Sequence, residues 1–185
     1  MQKYMKWLMV SIGMGMVGIF PIIDGFAQND QSEITRPQPE LTKQPLTITT
    51  KTGKKHQFLV EIAKTPKEQE VGEMFRPHVP ENGGMLFVWP GPQPSNMWMK
   101  NTLVPLDMVF IDGHHRIQAI AENTVPYSLA PINSRGAVIA TLELQGGITE
   151  KLGITVGDTV DSAAFEPDQS TVSKGEAVEI GNKKK

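Results

Sequence analysis

Short runs in which apolar and polar positions alternate recur along this chain, each closed by glycine, proline, asparagine or aspartate. Leu46-Thr-Ile-Thr-Thr50 and His56-Gln-Phe-Leu-Val-Glu-Ile62 flank the glycine-containing Lys51-Thr-Gly-Lys-Lys55, which predicts a β-hairpin. The pattern then changes. Thr65-Pro66 places a capping hydroxyl before a proline at the first helical position, with Glu68 in the first turn, and predicts a short helix to about Met74, stopped by Arg76-Pro77. Strands are predicted over 84–89, 97–100, 106–111, 116–121 and 137–144, with Asp112-Gly113 as a turn. A second short helix over 148–152 runs into Gly153, and Gly157-Asp158 turns the chain into a last strand. No fixed-period repeat is present. The elements therefore predict a mainly β fold, an antiparallel β-sandwich or small barrel with one or two short peripheral helices.

The two ends read differently from this middle. Lys3 and Lys6 precede an apolar run from Trp7 to about Ile23, and Gly25-Phe26-Ala27 offers small residues where a signal peptidase reads. A cleaved signal peptide over 1–27 is expected, with a periplasmic or secreted mature chain beginning at Gln28 and no membrane attachment after cleavage. Residues 28–45 are polar and proline-bearing, too poor in apolar surface to offset their ordering entropy, and read as a disordered linker. Residues 46–165 form the single β-rich domain. A polar C-terminal tail, 166–185, follows, in which Ala177-Val-Glu-Ile180 could add a short edge strand.

Composition narrows the chemistry. The chain has no cysteine, which excludes a disulfide scaffold, a thiol nucleophile and thiolate metal centres. Loss of Lys3, Lys6 and Asp24 with the signal peptide takes one net positive charge from a formal −2. So mildly acidic a chain carries no electrostatic footprint for nucleic acid, and no nucleic-acid partner is expected.

One string of residues is specific. Glu68-Gln-Glu-Val-Gly-Glu-Met-Phe-Arg76, Gly84-Met-Leu-Phe87, Trp98-Met-Lys-Asn-Thr102, Pro105-Leu-Asp107, Val109-Phe-Ile-Asp112, Leu142-Glu-Leu144 and Gly157-Asp158 follow one another in that order. Together they resemble the domain-of-unknown-function family numbered one hundred and ninety-two, small bacterial and archaeal proteins that are often exported. The resemblance covers essentially the whole core and implies a compact, mostly antiparallel β fold; it implies no activity, because the family has none assigned. Glu73 departs from it, standing where the family usually carries an apolar residue, and so does Met97, where an aromatic is common.

The polar residues of these segments are the candidates for function. As a strand, 97–100 would put Trp98 and Lys100 on one face and Met97, Met99 and Asn101 on the other. With Arg76 and Asp107 brought near, Trp98, Lys100 and Asn101 would suit a sugar ring, a carboxylate or a phosphate. The plainer alternative is that Arg76 and Lys100 pair with Asp107 or Glu143 and hold loops together. Glu143 lies between Leu142 and Leu144, so a buried Glu143 requires a partner such as Arg76, Lys100 or the Asn101 amide.

The leading expectation is thus a non-catalytic envelope binding or accessory domain for a glycan or anionic small molecule, with Arg76, Trp98, Lys100, Asn101, Asp107 and Glu143 as ligand-binding residues and no cofactor. One alternative is a cell-envelope sugar hydrolase using Asp107 and Glu143 as its carboxylates. Another is Cu(I) binding through the thioethers of Met97 and Met99, against which methionine is a common filler of irregular cores. His114-His115 reads as a surface turn rather than a metal site. No serine lies in a nucleophile elbow, and no glycine-rich phosphate loop occurs.

Overall fold

The computed structural model describes residues 33–166, and from Ile34 onward these belong to one compact unit. The expected signal peptide and the possible strand at 177–180 lie outside the described residues. Seven strands form one sheet: β1 (Lys43–Thr49), β2 (Lys55–Ala63), β3 (Gly83–Met97), β4 (Leu106–Ile111), β5 (Ile117–Ala121), β6 (Ile132–Gln145) and β7 (Thr159–Ser162). Their order is β5-β4-β6-β3-β2-β1-β7. Among the described residues two helices accompany them, α1 (Pro66–Val71) and α2 (Ile148–Leu152), and a 3-10 turn at Ala163–Phe165 follows β7.

The mainly β class and the two short helices agree with expectation, but the sheet is mixed rather than antiparallel. β2 and β3 run parallel, with Glu61 opposite Met85 and Ile62 opposite Leu86. Parallel neighbours need a long crossover, and residues 64–82, which contain α1, supply it. Nor are there two stacked sheets. The single sheet curls until its margins touch, Arg116 bridging to Thr159, with Ile117 N–H donating to Asp158 O at 2.9 Å and Val160 N–H to His115 O at 2.8 Å.

The curled sheet has two buried faces. Leu46, Ile48, Phe58, Val60, Ile62, Leu86, Val109, Ile111, Leu142 and Leu144 pack together on one, with Ile148 of α2 and Ile154 against them. On the other lie Met85 and Phe87, and also Leu106, Met108, Phe110 and Val138. All of β4 is therefore buried on both sides, which is why it reads as an unbroken apolar run apart from Asp107.

Local chemistry sets the connections. Thr65 Oγ1 accepts from Glu68 N–H at 3.3 Å and Glu68 Oε2 accepts from Thr65 N–H at 2.8 Å, a reciprocal capping box that starts α1. The helix stops at Val71, earlier than Met74, because Gly72 leaves helical geometry at φ 50°. The segment read as linker is ordered from well before Leu46. β1 begins at Lys43, Leu41 N–H donates to Glu61 Oε2 at 2.7 Å, and Gln38 Nε2 donates to Glu68 O and Gly72 O at 3.1 Å each. These hydrogen bonds, together with Leu41 packed against Ala63, Met85 and Phe87, offset the ordering cost of a polar segment.

Candidate functional site

The predicted site residues fall into two groups. Trp98, Lys100 and Asn101 are not in a strand: β3 ends at Met97 and residues 98–101 form a turn, in which Asn101 adopts φ 55° and its carbonyl accepts from Phe75 N–H at 2.8 Å. The turn nonetheless presents Trp98 and Lys100 side by side. Trp98 is 48% exposed, and Lys100 Nζ lies 5.4 Å from its ring centroid, a cation–π contact. The turn is stitched to the loop between β5 and β6 by Met99 N–H to Ser128 O at 2.9 Å and Tyr127 N–H to Thr102 O at 3.2 Å.

That loop exposes Val125, Tyr127 and Leu129, each more than 60% open to solvent. Tyr127 holds φ 60°, a left-handed conformation that is an outlier for a bulky side chain. Residues 96–106 and 123–135 contain no acidic residue and include Lys100 and Arg135, both exposed. The result is an aromatic and aliphatic surface with Lys100 at its centre and Glu70 bordering the recess beside Trp98. Tyr127 was not singled out in the sequence; the signal was an apolar run, Val125-Pro-Tyr-Ser-Leu129, outside any strand.

Arg76 and Asp107 lie elsewhere, whereas Glu143 borders a small recess together with Trp98, Glu73 and Thr102. Asp107 is wholly buried. Its Oδ1 accepts from Asn123 N–H at 2.8 Å and Gly147 N–H at 2.9 Å, and its Oδ2 from the N–H and hydroxyl of Thr149 at 2.9 and 2.7 Å. It thus ties the loop after β5 to the start of α2. In the β4–β6 ladder Asp107 stands opposite Leu144 and Met108 opposite Glu143. Cross-strand partners share a face, so Asp107 and Glu143 point to opposite faces and form no acid/base pair.

Glu143 belongs to a row across four strands on its face: Glu61 of β2, Met85 of β3, Glu143 of β6 and Met108 of β4. The crossover brings Glu73 and Arg76 onto this row. Arg76 binds Glu61 through both oxygens, Nη1–Oε1 at 2.6 Å and Nη2–Oε2 at 2.9 Å, and its Nη1 also lies 3.3 Å from Glu73 Oε2. The cation expected to pair with Glu143 binds Glu61 instead. Among the described residues Glu143 has neither a hydrogen-bond donor nor an ion-pair partner. Glu61, unlike Glu143, was missed, although Val60-Glu-Ile62 carries the same signal of a carboxylate between apolar neighbours.

Electrostatics separates the carboxyls. Burial, and then the Glu73 charge, push Glu143 well above the ordinary carboxyl range, against the opposing Arg76. Burial also raises Glu73 to about 7, with Glu61 adding to the shift and Arg76 opposing it. Glu61 feels burial too, but the Arg76 hydrogen bonds and the Leu41 N–H outweigh it and hold this carboxyl low. Beside the row opens a cleft of about 400 Å³, whose walls include Glu61, Glu73, Arg76, Leu59 and Pro80, with Glu40 and Lys43 also lining it.

The methionine candidates are mostly core. Met99 is fully buried with its sulfur 3.1 Å from the Thr124 hydroxyl, and Met97 is partly buried. His114 lies exposed in the Asp112 turn and His115 packs on Phe165, ring centroids 4.7 Å apart.

Residues 47–162 match the sequence family DUF192, whose description is uncharacterized ACR. The chain belongs to the DUF192 family. The DUF192 match begins within β1 and ends with β7, and so reaches all seven strands. Two solved structures are similar to this DUF192 chain. A putative transcription regulator from Sinorhizobium meliloti 1021 is 40% identical, with 68% of this chain and 98% of that one covered and a TM-score of 0.66. A protein of unknown function from Novosphingobium aromaticivorans DSM 12444 is 38% identical, with 70% and 94% covered and a TM-score of 0.64. No curated protein matches the sequence.

Proposed function

We propose that this DUF192 domain is an exported, non-catalytic binding module that holds an anionic glycan on the surface built by the Trp98–Thr102 turn and the loop carrying Tyr127. The observation that carries this reading is the exposed Trp98 ring with Lys100 stacked at 5.4 Å beside it, in loops free of acidic residues. An indole offers an apolar face to a sugar ring, and the ammonium meets a carboxylate or sulfate on it. Arg76 and Asp107 are engaged elsewhere and Glu143 is buried beneath the recess beside Trp98, so the ligand contacts narrow to Trp98, Lys100 and Tyr127. The S. meliloti relative is called a transcription regulator, but a formal charge of −2 supplies no field for nucleic acid, and regulation by DNA binding is not favoured.

Thermal-shift titration of the purified chain with anionic and neutral polysaccharides tests this. At a hundred times its dissociation constant a ligand adds about 2.7 kcal/mol, a rise of several degrees in Tm. The rise is expected with the anionic polymers and is lost in Trp98→Ala and Tyr127→Ala. A rise that survives both substitutions, or no rise with any polysaccharide, refutes the reading.

A further inference from the structure

The cleft beside the carboxyl row differs in chemistry from the Trp98 surface. Its charges largely cancel in pairs: Lys43 Nζ lies 3.1 Å from Glu40, and Arg76 is bound to both oxygens of Glu61. Glu73 remains. It is 3% exposed, and its Oε2 is buried, in ion contact with Arg76 yet receiving no hydrogen bond. With Glu143 also on this face, three carboxyls share a single guanidinium. A cation brought against Glu73 supplements that one guanidinium and offsets the mutual repulsion of the carboxyls.

We propose that this cleft binds a compact organic cation, a primary ammonium or guanidinium on a short hydrocarbon stem, whose N–H groups donate to Glu73. An anion is excluded by Glu40, Glu61 and Glu73 on the same walls, where both cations already have partners. The stem fits because Pro37, Leu59, Pro77 and Pro80 line the remaining surface. A bare metal ion does not fit, since no group of three His, Asp or Glu is placed to hold one among the described residues. Protonation modulates the site. Glu73 titrates near 7 in a setting made by Glu61 and Arg76, by Glu143 of β6, and by Glu40, Lys43 and His78 lining the cleft, so the site accepts a cation better as pH rises through neutrality.

Calorimetric titration of the full chain at pH 6 and pH 8 decides it, with butylamine and agmatine as probes and butanol and butyrate as neutral and anionic controls of similar size. Both cations are expected to bind saturably and roughly tenfold more tightly at pH 8, as the ionised fraction of a group titrating near 7 dictates, with neither control binding. Glu73→Gln should remove the pH dependence and weaken binding at least about tenfold at pH 8. Two rim variants that leave the core untouched guard against misfolding: Glu40→Gln weakens and Lys43→Gln tightens cation binding. Trp98→Ala leaves it unchanged, which separates this site from the glycan surface. Butyrate binding as well as butylamine, unaltered affinity in Glu73→Gln, or loss of binding in Trp98→Ala overturns the proposal.

Discussion

Asp107 has four hydrogen-bond donors and Glu143 has none among the described residues, though both are carboxyls in strands of otherwise apolar residues. The difference comes from the faces they occupy: Asp107 meets the backbone ends of the loop after β5 and of α2, whereas Glu143 meets Met85, Met108 and Glu73. Asp107→Asn replaces one acceptor oxygen with an NH2 group turned toward existing donors. A loss of about 3 kcal/mol or more is expected in urea unfolding, with faster amide exchange at Gly147 and Thr149. The burial of Glu143 was legible, since Leu142 and Leu144 flank it on a strand. Its partner was not, because the guanidinium arrives from a crossover whose docking depends on contacts distant in sequence, and it docks on Glu61.

At the scale of elements, those specified by local chemistry were legible and those specified by distant pairing were not. The β1–β2 hairpin, α2 and the Thr65–Glu68 capping box each declare themselves within a few residues. β3 does not. Its prolines at 90, 92 and 94 read as breakers, yet the strand continues to Met97 by shifting register against β6 between Val88 and Gln93 and again between Pro94 and Asn96. Nothing in the alternation of β2 and β3 distinguishes parallel from antiparallel pairing, so of the expected antiparallel sandwich or small barrel the structure keeps the mainly β class, as one curled mixed sheet. The strand-to-strand approach of β3 and β6 rests on Gly84, at φ 152°, where a Cβ would collide with the Glu143 carbonyl oxygen and the Leu144 side chain. Gly84→Ala is expected to cost more than about 4 kcal/mol, measured as loss of the cooperative unfolding transition or of soluble protein.

For the whole molecule, the buried carboxyls set how stability varies with pH. A carboxyl raised from 4.5 to about 7, as Glu73 is, keeps in the folded state a proton that the unfolded chain releases. Its contribution therefore declines as pH climbs from about 4.5 and levels off above about 7, by a total on the order of 3 kcal/mol; Glu143 acts in the same direction. Glu61, held low, contributes stability above its unfolded value that is lost in acid. Stability should accordingly be greater at pH 5 than at pH 8 in urea melts, and Glu73→Gln should flatten the profile by stabilising the alkaline side. Greater wild-type stability at pH 8 would contradict the burial of these groups. The meeting of β5 and β7 at Arg116 and Thr159 bears on a different hazard. An open sheet ends in rows of unsatisfied amides and carbonyls on which a stranger's strand can grow. In this curled sheet the end strands are only five and four residues long, and at one corner each caps the other, so these two margins offer a second chain only a short ladder to extend.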